Sequence, residues 1–282
     1  MTRPTTHWQR GLQHFNGVLF LPNSVDGTGG GLGSAWSTDT AAAGITITHT
    51  GGSTAFDTQL KRTIYTQVVT ATNQELGPRL KNAGDYQFWL GNNTVSDKDY
   101  LGGFYFSTIF RIGAWQADTG RLFAGLTASA NPVCISDTEP ANTIGLWHET
   151  TDGQDELYIV AVTNAGSPGG VTKVQITDNS GAVSPAVNAP GILAAGVTLM
   201  FEMWAFPSAV GTVNTNIRLA KFNATTKAVT EVVWHAVGGG PLNTAMMAPQ
   251  VQMSNGTADT TAGHYAIEVA NVYCTSPSGE LL

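Results

Sequence analysis

The chain has 282 residues, 42% of them hydrophobic and only 12% charged, with 13 Lys+Arg against 20 Asp+Glu for a formal net charge of −7. High hydrophobicity with low charge excludes a disordered chain, and no apolar run approaches the roughly 20 residues that a bilayer span needs. Residues 1–125 hold nine basic and eight acidic side chains, while residues 126–282 hold four basic and twelve acidic ones; phosphate neutralisation needs the opposite sign, which excludes nucleic acid as a partner.

Taken in chain order, the first segment is an arm. Arg3 and Arg10 supply positive charge, but Gln9, Gln13, His14 and Asn16 interrupt any apolar core of a signal peptide, so assembly in a cytoplasm is expected. The arm is too apolar for a free tail: Trp8, Phe15, Leu19 and Phe20 are its anchor candidates. They dock either as a strand on their own domain or on a neighbouring subunit. Asp26–Gly33 (DGTGGGLG) then reads as a flexible tether. The expected organisation is an arm and tether over residues 1–33 and one domain over residues 34–282. A chain of this length buries roughly 75% of its unfolded surface, so one core suffices without staples.

Beyond the tether, apolar residues alternate with period two between Gly, Asn, Asp and Pro clusters, which is the pattern of strands and turns. The spacing predicts strands over Ile45–His49, Thr63–Thr70, Tyr86–Leu90, Gly103–Gly113, Arg121–Leu126, Thr143–Trp147, Leu157–Val162 and Val171–Thr177. It predicts more over Val197–Phe206, Asn216–Phe222, Val229–Trp234, Pro249–Met253 and Tyr265–Cys274. Asn164–Gly170 and Val237–Asn243 read as turns between them. No helical period of useful length occurs. In Val197–Ala205 the odd-numbered residues face one way, and Glu202 falls on the opposite side, where it must find water or a partner because an unpaired buried carboxylate is costly. Opposed faces of this kind are what two packed antiparallel sheets require.

Chemistry is harder to find. No Gly-x-Ser-x-Gly elbow exists, and Gly29–Gly33 lacks the Lys-Ser/Thr of a phosphate loop. A glycoside hydrolase needs two carboxylates about 5–9.5 Å apart across one bond, and Glu202 and Glu268 are each alone in their strands. No catalytic residue is assigned, and a non-enzymatic role is expected. The loop His148–Glu156 carries Glu149, Asp152, Asp155 and Glu156. It is a weak calcium candidate through Asp152, Asp155 and Glu156, against the alternative of a solvated acidic turn. No cofactor is otherwise expected. Trp147, with His148 and Glu149 at a strand end, is the candidate glycan-binding group, against the alternative of core packing. Cys134 and Cys274 sit in apolar contexts and read as buried thiols; their pairing depends on a separation that sequence does not give.

Four segments carry a resemblance: Arg111–Ser129 (RIGAWQADTGRLFAGLTAS), Glu139–Trp147 (EPANTIGLW), Met203–Pro207 (MWAFP) and Met247–Gly256 (MAPQVQMSNG). In order and spacing they are similar to the C-terminal region of tailed-bacteriophage tail fibre and virion appendage proteins, over about residues 100–275. The resemblance implies an all-β, antiparallel two-sheet jelly-roll sandwich of the concanavalin A type, here with an extended N-terminal arm. It implies a structural or adhesive role in a tail or capsid appendage, and transfers no catalytic residue. The implied partners are other virion proteins and a host surface glycan. By analogy with fibres it implies a homo-oligomer, taken as a trimer, located in the virion.

Overall fold

The computed structural model describes residues 17–20, 36–37, 45–50, 62–68, 71–80, 88–89, 103–116, 119–129, 133–135, 137–152, 156–163, 170–176, 195–205, 215–222, 228–238, 240–241, 245–257 and 259–275. Its strands are β1 (Gly17–Phe20), β2 (Trp36–Ser37), β3 (Ile45–Thr50), β4 (Arg62–Gln67), β5 (Glu75–Leu76), β6 (Arg79–Leu80), β7 (Phe88–Trp89), β8 (Phe104–Ala114) and β9 (Arg121–Thr127). They continue as β10 (Thr143–His148), β11 (Tyr158–Val162), β12 (Val171–Gln175), β13 (Thr198–Ala205), β14 (Thr215–Phe222), β15 (Val229–Val237), β16 (Met246–Ser254) and β17 (Ala266–Thr275). Among the described residues the only helical piece is the 3₁₀ turn Val133–Ile135, and no helix is long and apolar enough to cross a membrane.

All pairings are antiparallel, and two sheets result among the described residues. One runs β15-β14-β13-β8-β17-β4-β3 with β1 added to β17, eight strands in all. The other runs β12-β11-β10-β9-β16-β6-β2, with β5 and β7 also on β16, nine strands in all. The chain crosses repeatedly from one sheet to the other, so neither could form alone. This is the antiparallel two-sheet sandwich expected from the alternation, with the jelly-roll architecture that the resemblance implied.

Packing follows from that alternation. In β8, Phe104, Phe106, Thr108, Phe110 and Ile112 are buried, while Tyr105, Ser107, Ile109 and Arg111 are half-buried on the other side. β13 and β14 repeat the pattern. Their inward residues join Leu122, Ala124, Leu126, Ile144, Leu146 and Val251 from the facing sheet in one core. Phe106 and Phe201 meet edge to face, with centroids 6.1 Å apart, a preferred arrangement of two ring quadrupoles.

The nine-stranded sheet departs from simple alternation. β9 and β10 are buried on both faces. The β9–β10 connection folds back over the outer face as a strap: the Val133 N–H donates to Gln250 Oε1 at 3.1 Å, and Val133 and Cys134 pack with Phe123, Trp147, Val160 and Val162 in a second, smaller core. In the same two strands Gly125 and Gly145 are paired directly opposite. A Cβ on Gly145 would lie 2.4 Å from the Ala124 oxygen and 2.7 Å from Gly125 Cα, so neither position admits a side chain without parting the two strands.

Most predicted strands are present with ends shifted by a few residues. β2, β5 and β6 are two residues long, too short for any period to register. β16 begins at Met246 rather than at Pro249, because Pro249 falls between the stretches of β16 that β7 and β6 pair with. A missing amide there removes no ladder bond to either.

Candidate functional site

Trp8, Phe15 and Asp155 lie outside the described residues. Leu19 and Phe20 stand in β1, opposite Tyr273 and Val272 of β17. The segment Gly17–Phe20 is therefore a strand of its own chain's sandwich.

The placement of Trp147 and His148 corrects the expected glycan site. Trp147 has no exposed surface; it lies beneath the strap, edge-on to Phe123 with centroids 6.1 Å apart. Its outward parity on β10 gave no hint that another segment covers it. His148 is equally buried, at the inner end of β10. The Glu156 backbone oxygen lies 2.8 Å from its Nδ1. A carbonyl only accepts, so Nδ1 carries the proton and Nε2 is bare. Burial holds the imidazole below its ordinary value of 6.5. The Trp115 ring abuts His148 at 5.3 Å and Tyr265 at 5.9 Å, so a sugar reaches neither Trp147 nor His148.

Glu149 and Asp152 are gathered by one cation. Lys173 Nζ on β12 donates to Glu149 Oε1 and Asp152 Oδ1, each at 2.5 Å, and sits 4.6 Å from the Tyr158 ring centroid. The Tyr158 hydroxyl donates to Glu156 Oε2 at 2.6 Å. Of the carboxylates considered for calcium, Asp152 thus has an ammonium and Glu156 a phenol as partner. Among the described residues no group of three or more His, Cys, Asp or Glu side chains is placed to hold a metal. Nearby, Arg121 grips Asp137 through Nε at 2.6 Å and Nη2 at 2.8 Å, and Thr150 adds its hydroxyl at 3.0 Å. The paired guanidinium is the main reason the Asp137 carboxyl sits down at about 2. This end of the sandwich is a set of closed ion pairs. Cys134 and Cys274 are both free and buried.

A different arrangement lies on the outer face of the eight-stranded sheet. Register places Tyr105 (β8) directly opposite Trp204 (β13) and opposite Thr275 (β17). One step along, Tyr273, Ser107, Glu202 and Arg218 follow each other across β17, β8, β13 and β14. All of these side chains are half-buried. The Tyr105 and Tyr273 rings are 6.1 Å apart. Glu202 holds the centre: the Tyr105 hydroxyl donates to Oε1 at 2.7 Å, and Arg218 Nη1 donates to Oε2 at 2.8 Å. Partial burial and the neighbouring carboxylate push the Tyr105 phenol up to about 12. The requirement that Glu202 find a partner is thereby met from two adjacent strands. Three aromatic rings beside a carboxylate–guanidinium pair can take the apolar face of a ring and bond its polar edge at the same time. Sequence reasoning missed this group because its members come from four strands and meet only through register.

No known protein family matches the chain, and no curated protein matches it in sequence. Solved structures do. The CBM2 module of the evolved Dit of Lactobacillus casei BL23 phage J-1 is 12% identical, with 75% of each chain covered and a TM-score of 0.39. An endo-β-1,4-glucuronan lyase from the fungus Trichoderma reesei is 12% identical, over 92% of this chain and 97% of that one, with a TM-score of 0.47. Arcelin-5, a lectin-like defense protein from Phaseolus vulgaris, is 11% identical over 92% and 97%, with a TM-score of 0.46. At such identities the likeness goes no further than the sandwich architecture. It nevertheless corrects one expectation. A non-enzymatic role does not follow from this fold, because polysaccharide lyases stand among the similar structures.

Proposed function

We propose that this chain is a carbohydrate-binding β-sandwich of a bacteriophage virion appendage, holding a glycan on the outer face of the eight-stranded sheet. The observation that carries the reading is the platform of Tyr105, Trp204 and Tyr273 beside Glu202 and Arg218. Neighbouring rings supply rigid area and the ion pair supplies directed bonds, the combination that defines small-ligand sites. The virion setting rests on the resemblance carried by Arg111–Ser129, Glu139–Trp147, Met203–Pro207 and Met247–Gly256. In this setting the domain attaches to a host surface glycan, and the part of the arm that precedes β1 holds it among other virion proteins as a homo-oligomer.

A glycan array followed by calorimetry tests the binding. Trp204→Ala should weaken binding by about tenfold or more, the loss of one aromatic anchor, with little change in the unfolding midpoint. Retention of full affinity in that variant would refute the assignment of the face. The virion setting is tested separately: deletion of residues 1–16, which spares β1 and its pairing with β17, should leave a folded body that no longer enters particles.

A further inference from the structure

From the charge arrangement on the same face we infer that the glycan is neutral, built of hexoses presenting vicinal hydroxyls rather than uronate or sulfated sugars. The inference rests on the proposed carbohydrate-binding role and deepens it. Tyr105 and Trp204 are opposite neighbours on adjacent strands, which puts their Cβ atoms about 5 Å apart. Tyr273 closes the platform against Tyr105 at 6.1 Å. One register step away, about 6.7 Å along the strands, stand Ser107, Glu202 and Arg218. A pyranose ring laid on the aromatic rings reaches that row with its hydroxyl edge.

The row is electrically balanced. Glu202 is the acid and Arg218 the base, and they bond each other at 2.8 Å. Each is still partly open, with side-chain exposures of 18% and 25%. A uronate or sulfate placed there would meet the Glu202 carboxylate and gain only a guanidinium already engaged. An amino sugar would meet the mirror problem at Arg218. A neutral diol faces neither penalty, since one hydroxyl donates to Glu202 while its neighbour accepts from Arg218. Ser107 and Asn216, in the same and adjoining rows, offer further uncharged partners. The second charged group on this face keeps its distance. Arg62 and Arg111 flank Glu268 at 2.9 and 3.6 Å, and Arg111 stands four residues from Ser107 along β8, about 13 Å away.

The test is calorimetric titration of the full chain with neutral gluco-, manno- and galacto-hexaoses and with mannuronate, guluronate and glucuronate hexamers, at about 0.05 M and about 0.5 M salt. We expect a neutral hexaose to bind, with less than about a twofold change between the two salts, since no net charge is neutralised. Glu202→Gln preserves the shape and the bond from Tyr105 but removes the carboxylate charge that Arg218 pairs with. It should weaken the neutral ligand about tenfold while uronate binding rises. A wild-type preference for a uronate hexamer, lost in Trp204→Ala, would overturn the neutral class and leave the carbohydrate-binding role standing. Absence of binding to every hexamer, neutral and acidic, would overturn both.

Discussion

Trp147 separates two accounts of the molecule in one experiment. In the sequence it stands beside His148 and Glu149 like a displayed aromatic; in the fold it is fully buried between the nine-stranded sheet and its strap, against Phe123, Val133 and Cys134. Trp147→Ala removes the largest fully buried side chain among the described residues and leaves a cavity among Phe123, Val133, Cys134, Val160 and Val162. Substitutions of this type cost about 3–5 kcal/mol. With a urea m-value of about 3 kcal/mol/M for a domain this large, the unfolding midpoint should fall by about 1–1.7 M. Urea titration followed by far-ultraviolet circular dichroism reads the shift directly, and binding by the residual folded protein should be intact. Trp204→Ala, half-buried on the outer face of the other sheet, should show the reverse, with a midpoint moved by less than about 0.5 M and binding lost. If Trp147→Ala unfolds with the wild type while abolishing glycan binding, the buried placement and the choice of face both fall.

Other variants test the closed end of the sandwich. Asp137→Asn should cost about 1–2 kcal/mol at neutral pH, a charge-assisted pair discounted for its partial exposure. The native carboxyl near 2 lies below its unfolded value of about 3.9. Its contribution is therefore complete above about pH 4 and is lost as the pH falls towards 2; this part of the acid limb should vanish in the variant, as read from melting temperature against pH. Buried neutral, His148 acts at milder acidity. Below about pH 6.5 the unfolded imidazole gains a proton that the folded one resists, so stability drops with falling pH. His148→Gln should flatten that slope in the same titration. Lys173→Met leaves Glu149 and Asp152 without their shared cation and should lower stability by about 1–2 kcal/mol, with the loss shrinking at high salt.

Much of the sandwich was legible because β8, β13 and the second half of β17 each bury one face and leave the other half-buried. Alternation marks such strands whatever they pair with. It failed to say which rings are displayed. Trp147 and Trp204 both occupy outward positions, and only the return of Val133–Ile135 over one sheet makes the first a core residue. Glu202 was legible as a carboxylate in need of a partner. Tyr105 and Arg218 were not legible as its partners, since they lie 97 and 16 residues away and meet it through the register of β8, β13 and β14. The same limit hid the bonds from Lys173 to Glu149 and Asp152.

The laying of β1 against β17 has a mechanical consequence. Gly17 stands opposite Thr275 and Phe20 opposite Val272, so the backbone preceding the first strand and that following the last leave from neighbouring points. Tension between those two exits meets the four rungs in succession rather than together. β1 would therefore peel away at low force, like a zip opened from its end, before the long β8–β17 ladder carried any load.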